Sequence, residues 1–171
     1  VTLKRLGARK ELRFETPALE ADLPHRLAET AWALAADGRS AVQIVVFCNS
    51  RDVAEKVIAS LQDFAKADKT AGREKADIKT ELFVGARRVK ERQDARVSLE
   101  TLGFIAGSDP PALPCFLVAT SAGEVGVDLD ADHLVCDLVT YDRMVQRFGR
   151  VNRRGECQDT QLQVVELKPP E

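Results

Sequence analysis

The sequence predicts an α/β fold: an open, mainly parallel sheet with helices on both faces, in a single domain. Three observations carry this. Two near-continuous apolar runs, Ala41–Cys48 and Cys115–Thr120, have the pattern of strands buried on both faces, which belongs to parallel sheets. Segments of helical periodicity separate the strand-like runs, as right-handed crossovers require. At 171 residues, with 44% hydrophobic and 30% charged residues, the chain has ordinary globular composition and enough length for a sizeable core.

The elements follow in order. Val1–Leu6 and Glu11–Phe14 read as short strands, with Pro17 and Pro24 as punctuation. From His25 to Ala36 the residues Leu27, Ala31, Leu34 and Ala35 recur at helical spacing, and Asp37-Gly38 is a stop. His25 is expected at the surface of the first turn and Trp32 in packing. After the strand Ala41–Cys48 come Asn49-Ser50-Arg51-Asp52 and a helix over Val53–Phe64. Lys66–Lys79 is charged and aperiodic, an exposed connection. Thr80–Val84 is a short strand, Gly85-Ala86-Arg87-Arg88 a turn, and Val89–Leu102 a helix with a basic start. From composition alone that start is equally a phosphate-facing patch or a solvated face. Gly107–Pro111 is a loop, and Asp132–Leu138 and Gln161–Leu167 are strands, the latter expected at the sheet edge. His133 is expected at a strand end.

In open parallel sheets, ligands bind beyond the carboxyl ends of the strands. The polar clusters after Cys48, Val84 and Thr120 are therefore expected to share one rim. Asn49 and Ser50 also suit plain helix capping. Beyond Thr120, the stretch Ser121-Ala122-Gly123-Glu124-Val125-Gly126-Val127-Asp128 offers hydroxyls and two glycines that permit close backbone approach. The last motif is Tyr141–Gly155. Wound as one helix at roughly 100° per residue, it places Gln146, Arg150 and Arg153 on one face and Met144, Phe148 and Val151 on the other. Gly149 removes bulk beside Arg150, and Gly155 marks the stop. Arginine forks match phosphate oxygens and keep their charge. Standing alone, such a run also reads as a solvated basic helix.

The net charge of −2 argues against a general basic coat and leaves room for a local basic site. Cys48, Cys115, Cys136 and Cys157 show no zinc spacing, so buried thiols in a reducing cytoplasm are expected and no metal set is proposed. No apolar run is long enough to span a bilayer, so no membrane partner is expected. The opening Val1-Thr2-Leu3-Lys4-Arg5 is unlike a signal peptide and reads as a cut within a longer chain.

Gln146-Arg-x-Gly-Arg-x-x-Arg153 resembles motif VI of superfamily 2 helicases. Val46–Arg51 resembles motif IV, Leu82–Arg92 the adjoining nucleic-acid motif, and Val118–Asp128 motif V, in the helicase order. The resemblance covers roughly residues 41–155 and is strongest to the helicase-nuclease of type I CRISPR systems. It implies a RecA-like domain over 41–171, with 1–40 as a segment and first helix leading into it. No Gly-x-x-x-x-Gly-Lys-Ser/Thr loop is present, so ATP with Mg is expected to be held mainly by an upstream RecA-like domain of the same chain. The resemblance implies that Arg150, Arg153 and Gln146 face the γ-phosphate. Gly126, Asp128 and Arg147 lie by the nucleotide, with orienting an arginine as a second role for Asp128 and pairing with a carboxylate as the second for Arg147. Asn49, Ser50, Arg51, Gly85, Arg87, Thr120 and Ser121 hold single-stranded DNA, or RNA, by its phosphates. A CRISPR surveillance complex is a further implied partner. Two alternatives stay open: a RecA-like binding module without ATPase role, and the same domain of a repair or RNA helicase.

Overall fold

Six strands, all parallel, form one sheet in the order β1-β6-β5-β2-β4-β3. The computed structural model describes residues 7–70, 77–84, 96–121 and 128–168. The elements are β1 (Lys10–Ala18), α1 (Leu23–Leu34), β2 (Gln43–Phe47), α2 (Arg51–Thr70), β3 (Lys79–Phe83), β4 (Cys115–Ala119), β5 (His133–Asp137), α3 (Tyr141–Phe148) and β6 (Thr160–Leu167). A helical segment, 96–101, lies between β3 and β4. The predicted strand Val1–Leu6, the turn Gly85–Arg88 and the first part of the helix Val89–Leu102 lie outside the described residues.

The sheet is buried because its sequence is apolar on both faces. All five residues of β2, of β4 and of β5 are buried. Alternate residues feed two cores. Ile44, Val46, Phe116, Val118, Val135 and Val165 pack under α1 and α2. Val45, Phe47, Leu117, Leu134, Cys136 and Val164 pack on the other face with Leu99, Phe104 and α3. The turn after α1 passes through three left-handed residues, Ala36, Asp37 and Gly38. At Gly38 (φ +75°) a Cβ would stand 2.5 Å from the Trp32 ring, so this stop has to be glycine. Trp32 itself packs against Phe64 and Phe116, as its expected core role requires.

Three expectations are corrected. β6 is interior, with β1 at the edge, because Val164 and Val165 are buried on opposite faces and polar Gln163 is buried beside them. Helix α2 runs to Thr70, past the expected end at Phe64. Buried Ala65 and the Lys66–Asp63 pair at 3.1 Å continue it through the charged stretch. Helix α3 ends at Phe148, well before Gly155.

Helix α3 docks through a charge. Arg147 is fully buried, and its Nη1 donates to the carbonyl oxygen of Asp137 at 2.9 Å and to Oδ1 of the same residue at 3.0 Å. Its guanidinium lies 5.4 Å from the centre of the Phe47 ring. Burial pushes the Asp137 carboxyl above its ordinary range, and Arg147 opposes that shift. Removing one partner leaves a buried charge without its counter-ion. Arg147→Met is therefore expected to lower unfolding stability by about 3–5 kcal/mol, read from urea denaturation. A loss below about 1 kcal/mol would show that α3 docks by its apolar residues alone.

Candidate functional site

The strand ends make two distinct polar rims. At the carboxyl rim, Phe47, Ala119 and Phe83 stand in register on adjacent strands. The Cys48 amide donates to the Ala119 carbonyl at 2.8 Å, and the Thr120 amide to the Phe83 carbonyl at 3.1 Å. This carries Asn49, Ser50 and Ser121, all exposed, and half-buried Thr120 onto one edge. Ser50 also serves as a helix cap: its Oγ accepts the Val53 amide at 3.3 Å. Arg51 is exposed in the first turn of α2, paired with Glu55 at 2.7 Å.

The amino rim lies at the other end of the same strands. Helix α3 follows Thr140 at the carboxyl end of β5, and its exit, Gly149-Arg150, lies beside Ala131, just before β5 begins. Here the chain abandons the helix. The Ala131 amide donates to the Arg150 carbonyl at 3.0 Å, and the Asn152 amide donates to the Ala131 carbonyl at 2.8 Å, a parallel bridge. This explains the early end of α3: pairing with Ala131 and burial of Val151 outweigh another helical turn. Gln146 is thus on α3, whereas Arg150 and Arg153 flank the bridge residue Val151 in the turn and bend that follow. Their separation is set by this bridge, not by a helical pitch. Gly149 has ordinary helical dihedrals, and a Cβ there would meet the Val145 and Gln146 carbonyls at 3.4 Å, ordinary contact. The close-approach role expected for it is not required by its surroundings.

Arg153 forms an ion pair with Asp128. Asp128, for which the resemblance implies a place by the nucleotide or the orienting of an arginine, is thus in contact with an arginine of the motif. Of the two roles implied for Arg147, pairing with a carboxylate is the one present, and its full burial takes it away from any nucleotide-facing surface. Met144, Phe148 and Val151 turn to the core as the periodicity expects. Gly126, Gly85 and Arg87 lie outside the described residues.

Several residues at these rims were missed by sequence reasoning. Asp130 accepts the Arg153 amide on Oδ1 at 2.8 Å and Arg154 Nε on Oδ2 at 3.1 Å. Asn152, in a left-handed conformation (φ +44°), exchanges two hydrogen bonds with Cys157 and closes the loop between them. Lys10 of β1 donates from Nζ to the Phe148 carbonyl at 2.9 Å, capping α3 with a cation. One available signal was the alternation Asp128-Leu129-Asp130-Ala131-Asp132, which has the period of an extended segment with buried Leu129 and Ala131. Among the described residues no group of three His, Cys, Asp or Glu could hold a metal ion, and no helix is long and apolar enough to cross a membrane.

Comparison with known proteins gives consistent findings. The family model for the C-terminal part of the CRISPR-associated nuclease/helicase Cas3 matches residues 40–156. The ATP-dependent DNA helicase MPH1 of Coccidioides immitis (strain RS) is 30% identical over 125 residues, 67% of this chain and 10% of that protein. The structure of T. fusca Cas3 with ADP superposes with a TM-score of 0.66 at 22% identity, over 94% of this chain and 18% of that one. The Mycobacterium smegmatis helicase Lhr, bound to ssDNA and AMP-PNP, gives 0.58 at 19% identity, over 91% and 19% of the two chains. The fold is RecA-like. This chain spans about a tenth of the curated relative and under a fifth of these solved chains.

His133, buried at the amino rim, accepts the Gln161 amide on Nδ1 at 3.2 Å, which requires a neutral ring. Burial lowers its pKa, with Asp132 and Asp159 opposing. A depressed folded-state pKa means that the unfolded chain binds the proton more readily. The stability that this residue contributes is thus present above the unfolded value, about 6.5, and is lost as pH falls below it. The urea midpoint is expected to drop between about pH 7.5 and 5.5, and His133→Asn, which keeps an acceptor near Nδ1, should flatten that slope. Equal slopes in both proteins would assign the effect to other groups.

Proposed function

This chain belongs to the family of Cas3-like C-terminal domains of CRISPR-associated nuclease/helicases, and on that premise we propose that it is the second motor domain of an ATP-dependent DNA helicase or translocase of type I CRISPR interference. The observation that carries the reading is the two-rim arrangement. Arg150, Arg153 and Asp128 gather at the amino rim, and Asn49, Ser50, Thr120 and Ser121 gather at the carboxyl rim.

In this reading, ATP with Mg is held mainly by a RecA-like domain elsewhere in the full-length protein, and the amino rim closes against it. Arg150 and Arg153 bring charge that does not titrate to the γ-phosphate, and exposed Gln146 hydrogen-bonds beside it. Gly126 and Asp128 line the same cleft. Phosphoryl transfer is accelerated by positioning and charge neutralisation, and an arginine finger is worth about 10³–10⁵ in rate. The Asp128–Arg153 pair is solvent-exposed, so it costs little to exchange its carboxylate for a phosphate. The carboxyl rim grips one DNA strand. Thr120, Ser121, Asn49 and Ser50 offer hydroxyls, an amide and backbone donors, and Arg51 can trade exposed Glu55 for a phosphate. By the resemblance, Gly85 and Arg87 add further contacts to the phosphates of the strand. Such contacts read no sequence and make binding salt-dependent. Thr120 at the DNA-gripping rim and Asp128 at the nucleotide-facing one are eight residues apart in sequence.

The test is single-strand-stimulated ATP hydrolysis by the full-length protein. Arg150→Ala is expected to lose about 10³-fold or more in kcat while still binding single-stranded DNA. Full activity in that variant would move a binding module without ATPase role to first place. In a separate measurement, Arg51→Ala should weaken DNA binding evenly across sequences and reduce the salt slope by roughly 0.7. An unchanged slope would remove Arg51 from the strand-binding rim.

A further inference from the structure

The two arginines assigned to the nucleotide do not sit on a helix, so something other than helical geometry must fix where they point. We propose that Asp130 is the positioning residue of this site. Its carboxylate sets the orientation of Arg153 for the phosphoryl-transfer step. The inference rests on the motor-domain reading above and adds to it a residue that makes no contact with the nucleotide.

The geometry is specific. Asp130 is anchored by its own amide, which donates to the Phe104 carbonyl at 2.9 Å in the buried core. From there its two carboxylate oxygens diverge. Oδ1 takes the main-chain amide of Arg153 at 2.8 Å, and Oδ2 takes Arg154 Nε at 3.1 Å. The next residue, Ala131, holds the carbonyl of Arg150 and the amide of Asn152. Residues 130 and 131 therefore clamp the chain from 150 to 154 at four points. Lys10 approaches from β1 and caps the last turn of α3; burial lowers its pKa, with the charge of Asp130 opposing that shift and the charge of Arg153 adding to it. The Asp130 side chain is only 10% exposed, whereas the Arg153 amide that it receives lies at the surface.

The clamp acts on the backbone of Arg153 and leaves its guanidinium to Asp128 on the outer surface. One carboxylate fixes where the arginine starts, and another holds where it points. A displacement of about 1 Å at a reacting centre can cost about 10²-fold in rate, so a loosened Arg153 backbone should be felt in kcat before it is felt in binding. Asp130→Asn keeps an acceptor for the Arg153 amide, while its NH2 group faces the Arg154 Nε–H and that contact is lost. Asp130→Glu keeps the charge and moves it outward by one methylene.

The experiment uses the full-length protein, with ATP turnover, KM for ATP and single-stranded DNA affinity measured for each variant alongside thermal unfolding. Wild type against Arg150→Ala serves as the control for the motor reading. If that control fails, the motor reading fails, and the Asp130 result then speaks only to stability. With the control passing, Asp130→Ala and Asp130→Glu are expected to lose about 10–10²-fold in kcat, with KM and DNA affinity within about threefold of wild type. Asp130→Asn should recover most of the loss. In an Arg153→Ala background, Asp130→Ala should add less than about threefold, because a group that acts through Arg153 has nothing left to position. Wild-type kcat in folded Asp130→Glu overturns the proposal. So does multiplication of the two losses in the double variant, or an Asp130→Asn that falls as far as the glutamate. Asp130→Glu and Asp130→Asn decide the matter if the alanine variant does not fold.

Discussion

The guanidinium of Arg147 is held in the interior by the carboxylate and carbonyl of Asp137, against the face of Phe47. A charge in that position tolerates little displacement, because moving it by a few tenths of an ångström weakens a bond that water cannot replace. Helix α3 is short, only eight residues, with Met144 and Arg147 as its buried members. Apolar packing alone would let so short a helix slide or rotate. The ion pair locks its axial position to the end of β5. Since α3 then delivers the chain to Arg150 within three residues of Arg147, the same bond sets the origin from which the amino rim is built.

The second constraint is the sheet itself. Its central strands are five residues long, which at about 3.3 Å per residue separates the two rims by roughly 16 Å. They are buried throughout and paired on both sides, so they behave as a rigid spacer. The Asn49 and Thr120 group and the Arg150 and Arg153 group therefore lie more than a Debye length apart at physiological salt, about 8 Å. The fold keeps function at its two edges and reserves its middle for packing.

Much of this was legible in the residues, for identifiable reasons. Buried parallel strands are near-continuous apolar runs, so β2 and β4 declared themselves, and with them the carboxyl rim. β6 was harder. Its alternating Gln161, Gln163 and apolar neighbours look like a half-solvated edge, yet Gln163 is buried between Arg13 of β1 and Val135 of β5. A periodicity reads one strand and cannot see a neighbour supplied from the start of the chain. The winding of Tyr141–Gly155 as one helix failed for a related reason. Local pattern is helical throughout, but Ala131 offers backbone partners that only the folded chain brings near. Arg150 and Arg153 were singled out from the sequence, though not the rim on which they lie. Their supports, Asp130, Asn152 and Lys10, were not, since each acts through a contact distant in sequence.

The pairing of β1 with β6 joins the first described strand to the last. During synthesis, Lys10–Ala18 leaves the ribosome long before Thr160–Leu167 exists, and until then it has no strand to pair with. Its Leu12 and Phe14 remain largely exposed even in the finished fold. The nascent chain thus carries a sticky, unpaired ribbon until β6 is made, and closure of this sheet must await that strand. Truncating the polypeptide between α3 and β6, or stalling translation there, strands that ribbon permanently. Such an intermediate presents an unpaired strand edge, the kind of surface on which chains aggregate.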